Sequence, residues 1–430
     1  MAFSHFIALL TAALLFVSCS DEGSPTPPNN SLDFDTTLSI ACPWLTATSA
    51  ELEIHYLAGA DVELLRNGMR IHIFRSLHKD TVFIDQRLTP DENYIFTAQE
   101  LTTNGEVWKN DTVAVRTFPI STRSLAFREL GPWGGDLSYA FTDAKCLSDG
   151  RLAFTGSLSP LAIYRRERVE YQDTTHTEEG FSLDVLPDDM IVVATSRQLC
   201  YYSAVLAATI PFPYTSSATV KSFGDGSLIL ERGDGQILRG NVHELSLFMY
   251  PVPHASSLLN LCVSHAVVYA LFYDQKTRTA TLWRNDGTGS VPILSDGAAS
   301  TAPIRIADPL TCMWVAPSGT IYVCGQTVHR VTGNRVTDLD GLPPDLPASG
   351  IRAIYGLSDA DYMIVGDGPF YYHFDGERFQ GGRWGINVPD REPPRARSIH
   401  MTQNRTVILV NQYIPDMLGG HTTTYALYGE

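Results

Sequence analysis

Histidines, aspartates in short turns and cysteines are the residues of this chain whose types could support chemistry. The histidines are dispersed, and none of them stands at the spacing of a metal-binding pair. The chain also lacks a Gly-x-Ser-x-Gly elbow, a His-Glu-x-x-His motif, a P-loop and a dinucleotide-binding fingerprint. A catalytic or metal site would therefore need side chains that the fold brings together from distant segments, and the sequence predicts no cofactor.

Aspartate precedes glycine in several short segments, such as LSDGRL and FGDGS. The side chain of such an aspartate usually bonds to backbone two residues on, so we predict turns at Asp149 and Asp225. The segment RGDGQI around Asp234 lacks the repeated oxygen ligands of a calcium-binding loop and is predicted to be a tight turn as well. The Ser-x-Asp-x-Gly-x-x-Trp boxes typical of sialidases do not occur in the sequence.

A group of aromatic residues is the best candidate for a ligand-binding surface. Tyr372 and His373 belong to the run PFYYHFDG, and Trp384 follows in GGRWG. Exposed aromatic rings could form a stacking platform for sugar rings. The alternative is that these side chains fill the core and the edge of a sheet, and the sequence leaves both open.

The cysteines are scattered and form no Cys-x-x-Cys pair, so neither a zinc site nor a dithiol redox motif is predicted. Cys312 and Cys324 flank a Pro-Ser-Gly turn in the segment CMWVAPSGTIYVC, whose alternation predicts a β-hairpin. In an exported protein the two thiols could face each other and form a disulfide. Alternatively they are buried free thiols, which behave as small apolar side chains.

The N-terminal region indicates export. An apolar run from Phe6 to Val17 has the length of a signal-peptide core and is short for a membrane span. The following Val-Ser-Cys-Ser resembles the lipobox of bacterial lipoproteins. The resemblance implies a signal peptide over residues 1–18, acylation of Cys19, and a Pro- and Ser-rich tether over residues 19–37. It also implies an outer-membrane or cell-surface location, whereas a plain secretory signal is the alternative.

The net charge of the chain limits its partners. It is −16 over 430 residues at pH 7, so phosphate backbones and anionic lipid surfaces are repelled. Nucleic acid is therefore not a predicted partner, and the membrane is contacted through the lipid anchor only. Hydrophobic residues make up 44% and charged residues only 18%, which is typical of folded domains with sizeable cores.

Residues 38–120 alternate short strand-like runs with turns, which predicts an all-β unit of sandwich size. Leu88, Pro90 and Tyr94 match the Leu-x-Pro-x-x-x-Tyr pattern of fibronectin type III domains, which this segment resembles. The resemblance implies that the Tyr94 hydroxyl bonds to backbone near the turn that precedes its strand. Such modules usually space or present a neighbouring domain.

The hairpin that contains Cys312 is one copy of a repeat. Comparable hairpins are centred on turns at Asp149, Asp188, Asp225, His265, Ser318, Asp359 and Asn404. Their spacing of roughly 40 to 50 residues is the length of one four-stranded propeller blade. Residues 124–430 therefore resemble a bacterial extracellular β-propeller, with seven blades favoured and six possible. The last copy offers only three strands, and we predict that residues 124–134 supply the fourth.

The predicted function is binding without catalysis, by an all-β lipoprotein that consists of a fibronectin type III-like sandwich and a β-propeller. The propeller would bind a protein or a glycan at the cell envelope, on the loops at one end of the ring. The enzymatic alternative is a propeller glycoside hydrolase or polysaccharide lyase, which would need paired carboxylates or a His/Arg/Tyr cluster at the axis. A third alternative is a structural component of a larger envelope complex.

Overall fold

The computed structural model describes residues 38–429 except for 57–58, 76–79, 124–125, 134–140, 158, 166–167, 176–177, 187–188, 204, 212–217, 224, 234–235, 242–244, 250–255, 298–301, 340, 345, 347–349, 369, 384–393 and 415–420. The predicted signal peptide, Cys19 and the tether lie outside the described residues, as do Asp188, Asp234 and Trp384. Within the described ranges, no helix is long and apolar enough to span a membrane.

Residues 38–120 form a small sandwich of two antiparallel sheets. Its strands are β1 Ser39–Leu45, β2 Ser49–His55, β3 Asp61–Arg66, β4 Met69–Phe74, β5 Asp80–Gln86, β6 Asn93–Leu101 and β7 Val107–Arg116. One sheet has the order β1-β2-β5 and the other has the order β4-β3-β6-β7. Alternate side chains point inward, and residues of both sheets, among them Leu52, Leu64 and Phe96, share one buried core.

Tyr94 makes the hydrogen bond that was predicted for it. The backbone N–H of Thr89 donates to the Tyr94 hydroxyl oxygen at 2.7 Å. Leu88, the first residue of the same pattern, is 3% exposed and packs into the sandwich core. The bond therefore fixes the turn before β6 against the strand that follows it.

The described part of residues 127–429 contains seven sheets of four or five strands. Their strands are β8 Phe127–Trp133, β9 Phe141–Cys146, β10 Leu152–Gly156, β11 Ala162–Arg165, β12 Arg168–Gln172, β13 Gly180–Val185, β14 Ile191–Thr195, β15 Gln198–Tyr202, β16 Leu206–Pro211, β17 Thr219–Ser222, β18 Leu228–Glu231, β19 Gln236–Gly240, β20 Leu245–Met249, β21 Ser256–Ser264, β22 Val267–Asp274, β23 Thr279–Asn285, β24 Ser290–Ser295, β25 Ile304–Arg305, β26 Cys312–Val315, β27 Ile321–Cys324, β28 Val328–Thr332, β29 Arg335–Asp338, β30 Ile351–Ser358, β31 Asp361–Gly366, β32 Phe370–Phe374, β33 Phe379–Arg383, β34 Arg395–Thr402, β35 Arg405–Ile414 and β36 His421–Gly429. Strands follow chain order within each sheet, from β9–β12 in the first to β34–β36 in the seventh.

The seven sheets form a closed ring. The first strand of each sheet contacts the first strand of the next, and β34 of the seventh sheet contacts β9 of the first. β8 is the fourth strand of the seventh sheet, where it pairs antiparallel with β36. The prediction that residues 124–134 supply the missing strand is therefore confirmed for residues 127–133. The last sheet combines strands from both ends of the ring-forming segment.

Apolar side chains are buried between the sheets, with one cluster at each of the seven junctions. At the junction of the fifth and sixth sheets, the ring of Tyr362 lies 5.8 Å from that of Trp314 and 5.2 Å from that of Tyr322. Each sheet has two apolar faces and covers both only when it has a neighbour on each side.

The repeated hairpins predicted from the sequence are the first two strands of the seven sheets. Two of their aspartates form turns as predicted: Asp149 accepts the N–H of Arg151 at 3.0 Å, and Asp225 accepts the N–H of Ser227 at 2.8 Å. The long connection before the fifth sheet contains the short strand β25, which pairs parallel with β24.

The sandwich docks on the ring through a buried ion pair. Glu51 of β2 and Arg330 of β28 hydrogen-bond to each other and are 0% and 4% exposed. The centroid of the Trp44 ring lies 4.1 Å from the Arg330 guanidinium, which is a cation–π contact. Trp44 Nε1 also donates to the Tyr322 hydroxyl at 3.2 Å. Trp44 thus packs at the junction between the sandwich and the ring.

The turn after β32 accepts backbone hydrogen bonds from the sandwich and from the segment that follows it. The N–H of Ala47 donates to the carbonyl oxygen of Gly376 at 3.2 Å, and the N–H of Ser121 donates to that of Asp375 at 2.9 Å. Gly376 has a φ of 97°, and a Cβ atom there would lie 2.8 Å from the Cβ of Ala47. Glycine is therefore required at this position, both for the backbone conformation and for the close approach.

The connection from the sandwich to β8 is anchored by Arg123. Its side chain is 5% exposed and pairs with Asp361 at 3.3 Å. The same guanidinium donates to the carbonyl oxygen of Thr402 at 2.7 Å. Arg123 therefore ties the connecting segment to the sixth and seventh sheets.

Candidate functional site

The axis of the ring contains a cavity of about 650 Å³. All seven sheets contribute to its wall through their first strands, β9, β13, β17, β21, β26, β30 and β34. The described lining residues all belong to the ring, so the docked sandwich takes no part in the wall. A cavity of this size is within the range of ligand-binding pockets.

Charged side chains of three consecutive sheets meet in this cavity. Lys145 of β9, Asp184 of β13 and Lys221 of β17 all line its wall. The Lys145 amine lies 3.5 Å from an Asp184 carboxylate oxygen. Burial lowers the pKa of Lys145, but the Asp184 and Asp143 carboxylates together raise it above its ordinary value. Lys145 is therefore cationic at neutral pH although it is 6% exposed.

The two carboxylates in the wall hold adjacent sheets together. Asp184 accepts the N–H of Ser222 in β17 at 2.7 Å. Asp143 of β9 accepts the N–H of Leu183 in β13 at 3.3 Å. Both carboxylates are engaged in bonds between strands, whereas a glycoside hydrolase would need such groups aimed at a substrate.

Tyr355 lines the cavity, and the His400 ring packs against it from outside the lining. Burial lowers the pKa of His400 well below its ordinary value, and the charges on Lys145 and Lys221 lower it further. His400 Nδ1 accepts the N–H of Cys146 at 3.1 Å, as a neutral imidazole can. Burial also raises the pKa of Tyr355, so its hydroxyl is protonated at neutral pH. The wall of the cavity therefore has the neutral Tyr355 hydroxyl beside its charged side chains.

A second cavity, of about 600 Å³, lies where Pro43 of the sandwich meets the fourth and fifth sheets. Its described wall has one charged side chain, Arg284, which pairs with Asp286 at 3.3 Å. Within the described ranges, no three His, Cys, Asp or Glu side chains are grouped as a metal site would require. Of the two cavities, the axial one has the more varied chemistry and is the candidate site.

No protein-family model and no curated protein matches the sequence of this chain. Two solved structures resemble it in fold. The structure of YCF48 bound to D1 peptide aligns with a TM-score of 0.52 at 12% sequence identity, over 72% of this chain and 97% of that chain. The structure of YCF48 from Cyanidioschyzon merolae aligns with a TM-score of 0.50 at 9% identity, over 71% of this chain and 98% of that chain. Both are β-propellers. The ring is a β-propeller. At identities this low the likeness shows the fold alone, and it confirms that part of the prediction.

Tyr372 and His373, the candidate sugar platform, lie on β32 in the interior of the propeller. Tyr372 is 6% exposed, and its ring packs 5.8 Å from that of Phe370. His373 is 1% exposed, and its Nε2 lies 2.7 Å from an Asp361 oxygen. Neither side chain lines the axial cavity, so the structure favours the core alternative for both. Trp384 is outside the described residues.

Cys312 and Cys324 are directly opposite each other in the antiparallel pair of β26 and β27. Both are free thiols in this structure, and they are 1% and 0% exposed. Burial raises the pKa of Cys324 well above its ordinary value, and the adjacent Cys312 raises it further. The register allows the predicted disulfide, which stays a prediction.

Sequence reasoning did not identify the axial lysines. Lys145, Asp184 and Lys221 each stand two residues before the apolar residue that begins the hairpin turn of their repeat, in AKCL, LDVL and VKSF. A charge at the same place in three consecutive repeats is the signal that could have found them. Alignment of the repeats by their turns predicts that these positions lie at one level of the ring.

Proposed function

We propose that this chain is a non-catalytic recognition protein of the bacterial cell envelope, anchored by a lipid on Cys19. A fibronectin type III-like sandwich over residues 38–120 supports a seven-bladed propeller over residues 124–430, and each sheet of the ring is one blade. The propeller binds a protein ligand in its axial cavity. The observation that carries this proposal is the cavity itself, where all seven sheets bring charged, polar and apolar side chains to one point.

The comparisons support a protein as the ligand. YCF48, which shares the propeller fold, has been solved with D1 peptide bound. A propeller can use its axial region for recognition because one strand and its adjoining loops from every blade meet there. For this chain the axial wall also has accessible apolar side chains, Leu259 and Val263, which can pack against a bound chain.

A pull-down with a blocked cavity tests the binding function. Residues 20–430 are immobilised and exposed to a detergent extract of the envelope of the source bacterium. Thr219, which lines the cavity, is replaced in the variant Thr219→Trp, because an indole occupies space that the ligand needs. The matched control is Thr209→Trp, at an exposed position on β16.

We expect the wild type and Thr209→Trp to retain the same protein and Thr219→Trp to lose it, as identified by mass spectrometry. Equal retention by all three forms would place the ligand outside the cavity. Retention of polysaccharide without protein would contradict the protein ligand.

Metabolic labelling with a palmitate analogue tests the anchor. The wild-type chain is expected to incorporate the label and to sediment with membranes, whereas Cys19→Ala should do neither. The control Cys42→Ala, in the sandwich, should behave as the wild type does. An unlabelled wild-type chain in the soluble fraction would indicate a plain secretory signal.

A further inference from the structure

The charge of the axial cavity is opposite to that of the chain. The protein as a whole has a formal net charge of −16. The charged residues that line the cavity are Lys145, Lys221, Arg352, Arg397, Asp143 and Asp184. Cations thus outnumber carboxylates there. Such a cavity concentrates anionic ligands.

The carboxylates of the wall do not neutralise all of these cations. Asp184 pairs with Lys145, and Arg352 pairs at 2.6 Å with Asp367, outside the cavity wall. Lys221 and Arg397 have no ion pair with any described residue. These two side chains come from the third and seventh sheets, so a ligand between them would contact both sides of the cavity.

The aromatic rings of the wall are already packed against neighbours within the protein. The ring of Trp314 stacks on that of Tyr322 at 5.3 Å, and Tyr355 packs against the His400 ring at 5.0 Å. Trp314 is also 5% exposed. Sugar binding generally uses an open aromatic face. The wall therefore favours a ligand that is recognised by its charge and by contact with aliphatic side chains.

We propose that the axial cavity binds an acidic peptide segment whose carboxylates are bound by Lys221 and Arg397. The apolar side chains of the ligand lie against Leu259 and Val263 of β21, in the part of the wall between the third and seventh sheets. This inference rests on the proposed function and adds the chemical class of the ligand.

Two sets of short rhodamine-labelled peptides test the inference by fluorescence polarisation with residues 20–430. One set contains Asp and Glu among apolar residues, and the other has Asn and Gln at the same positions. We expect the acidic set to bind and the amide set to bind at least about tenfold more weakly, because only carboxylates gain from the two cations. The affinity of the acidic set should fall as salt is added.

The double variant Lys221→Gln/Arg397→Gln is expected to lose at least about tenfold in affinity for the acidic set. The matched control Lys276→Gln/Arg168→Gln removes the same charges from an exposed turn and from the outermost strand of the first sheet, and should bind as the wild type does. Circular dichroism spectra and thermal midpoints of both variants establish that they are folded.

The outcomes separate this inference from the proposed function. Binding of both peptide sets with equal affinity, or binding of the acidic set that the double variant leaves unchanged, would overturn the acidic specificity and leave a peptide-binding propeller. Binding of oligogalacturonate in place of peptides would overturn the peptide ligand. The absence of any peptide binding, together with an empty pull-down, would contradict both proposals.

Discussion

His400 shows at the residue scale how the propeller determines the protonation of a side chain. Its imidazole is partly buried beside two ammonium groups, Lys145 and Lys221, and both factors lower its pKa. Protonation would place a third cation in the same space and would remove the acceptor for the N–H of Cys146. His400 therefore binds a proton less readily in the folded state than in the unfolded chain.

We expect His400 to make the protein less stable as the pH falls below about 6.5, because the unfolded chain then binds one more proton than the folded chain. The variant His400→Asn removes the titrating group and retains an oxygen that can accept the N–H of Cys146. Urea unfolding between about pH 8 and about pH 5 should show a shallower acid loss in the variant, by up to about 1.4 kcal/mol per pH unit. Identical pH profiles for the two proteins would show that folding does not lower the pKa of His400.

The turn before β6 and the closing strand β8 show at the element scale how short segments are fixed. Tyr94 bonds to the backbone of the turn that precedes its own strand, so that a side chain sets the path of the chain into β6. β8 has no partner near it in sequence and pairs with β36 at the other end of the chain.

Tyr94→Phe should lower the free energy of unfolding of the sandwich by about 1 kcal/mol, because one hydrogen bond is lost and the ring is kept. Tyr56→Phe is the matched control, since Tyr56 lies in the same core and no hydrogen bond of its hydroxyl is described. Thermal unfolding followed by circular dichroism measures both. Equal midpoints for the two variants would show that the bond contributes nothing to the turn.

β8 should pair with β36 and close the ring whether it precedes or follows the rest of the propeller in the sequence. Phe127 pairs with Gly429, so a two-residue turn after residue 430 could lead directly into a transplanted β8. A chain of residues 134–430 is expected to aggregate because the edge of β36 is unpaired, whereas the same chain with residues 126–133 appended should be monomeric. Size-exclusion chromatography distinguishes the two. A monomeric, folded chain without the appended strand would show that β8 is not needed to close the ring.

The whole molecule is stabilised by apolar surface buried between sheets, because no sheet can cover both of its own apolar faces. Apolar clusters fill the seven junctions of the propeller, and the sandwich adds an eighth contact through Trp44 and Glu51. This last contact differs in kind, because it buries a charged pair. Glu51 also accepts from Arg335 at 3.2 Å, so its carboxylate is bonded by two guanidinium groups.

Arg330→Leu should destabilise the protein by about 3–5 kcal/mol, because the Glu51 carboxylate stays buried without its main partner. The double variant Glu51→Leu/Arg330→Leu should recover much of that loss. Arg70→Leu is the control, since it removes one member of an exposed pair with Glu63 and should cost less than about 1 kcal/mol. Urea unfolding measures all three, and an effect of Arg330→Leu no larger than that of Arg70→Leu would contradict a coupled interface.

The sequence alone determined the local structure, because alternation of apolar residues and turn-forming residues acts over a few positions. The repeated hairpins and the turns at Asp149 and Asp225 followed from such patterns, whereas the Tyr94 bond followed from the resemblance to fibronectin type III domains. The spacing of the repeats also predicted a ring of blades, since a sheet with two apolar faces needs a neighbour on each side.

The tertiary structure alone decided which distant side chains meet. Lys145, Asp184 and Lys221 belong to three repeats and share one cavity only because the ring places their strands side by side. Glu51 and Arg330 are 279 positions apart, and no local pattern marks either as a partner. The same holds for the aromatic run at Tyr372, since stacking on a ligand and packing in a core use the same residue types. The packing of neighbouring blades decides between these two roles, and it buries the Tyr372 side chain inside the propeller.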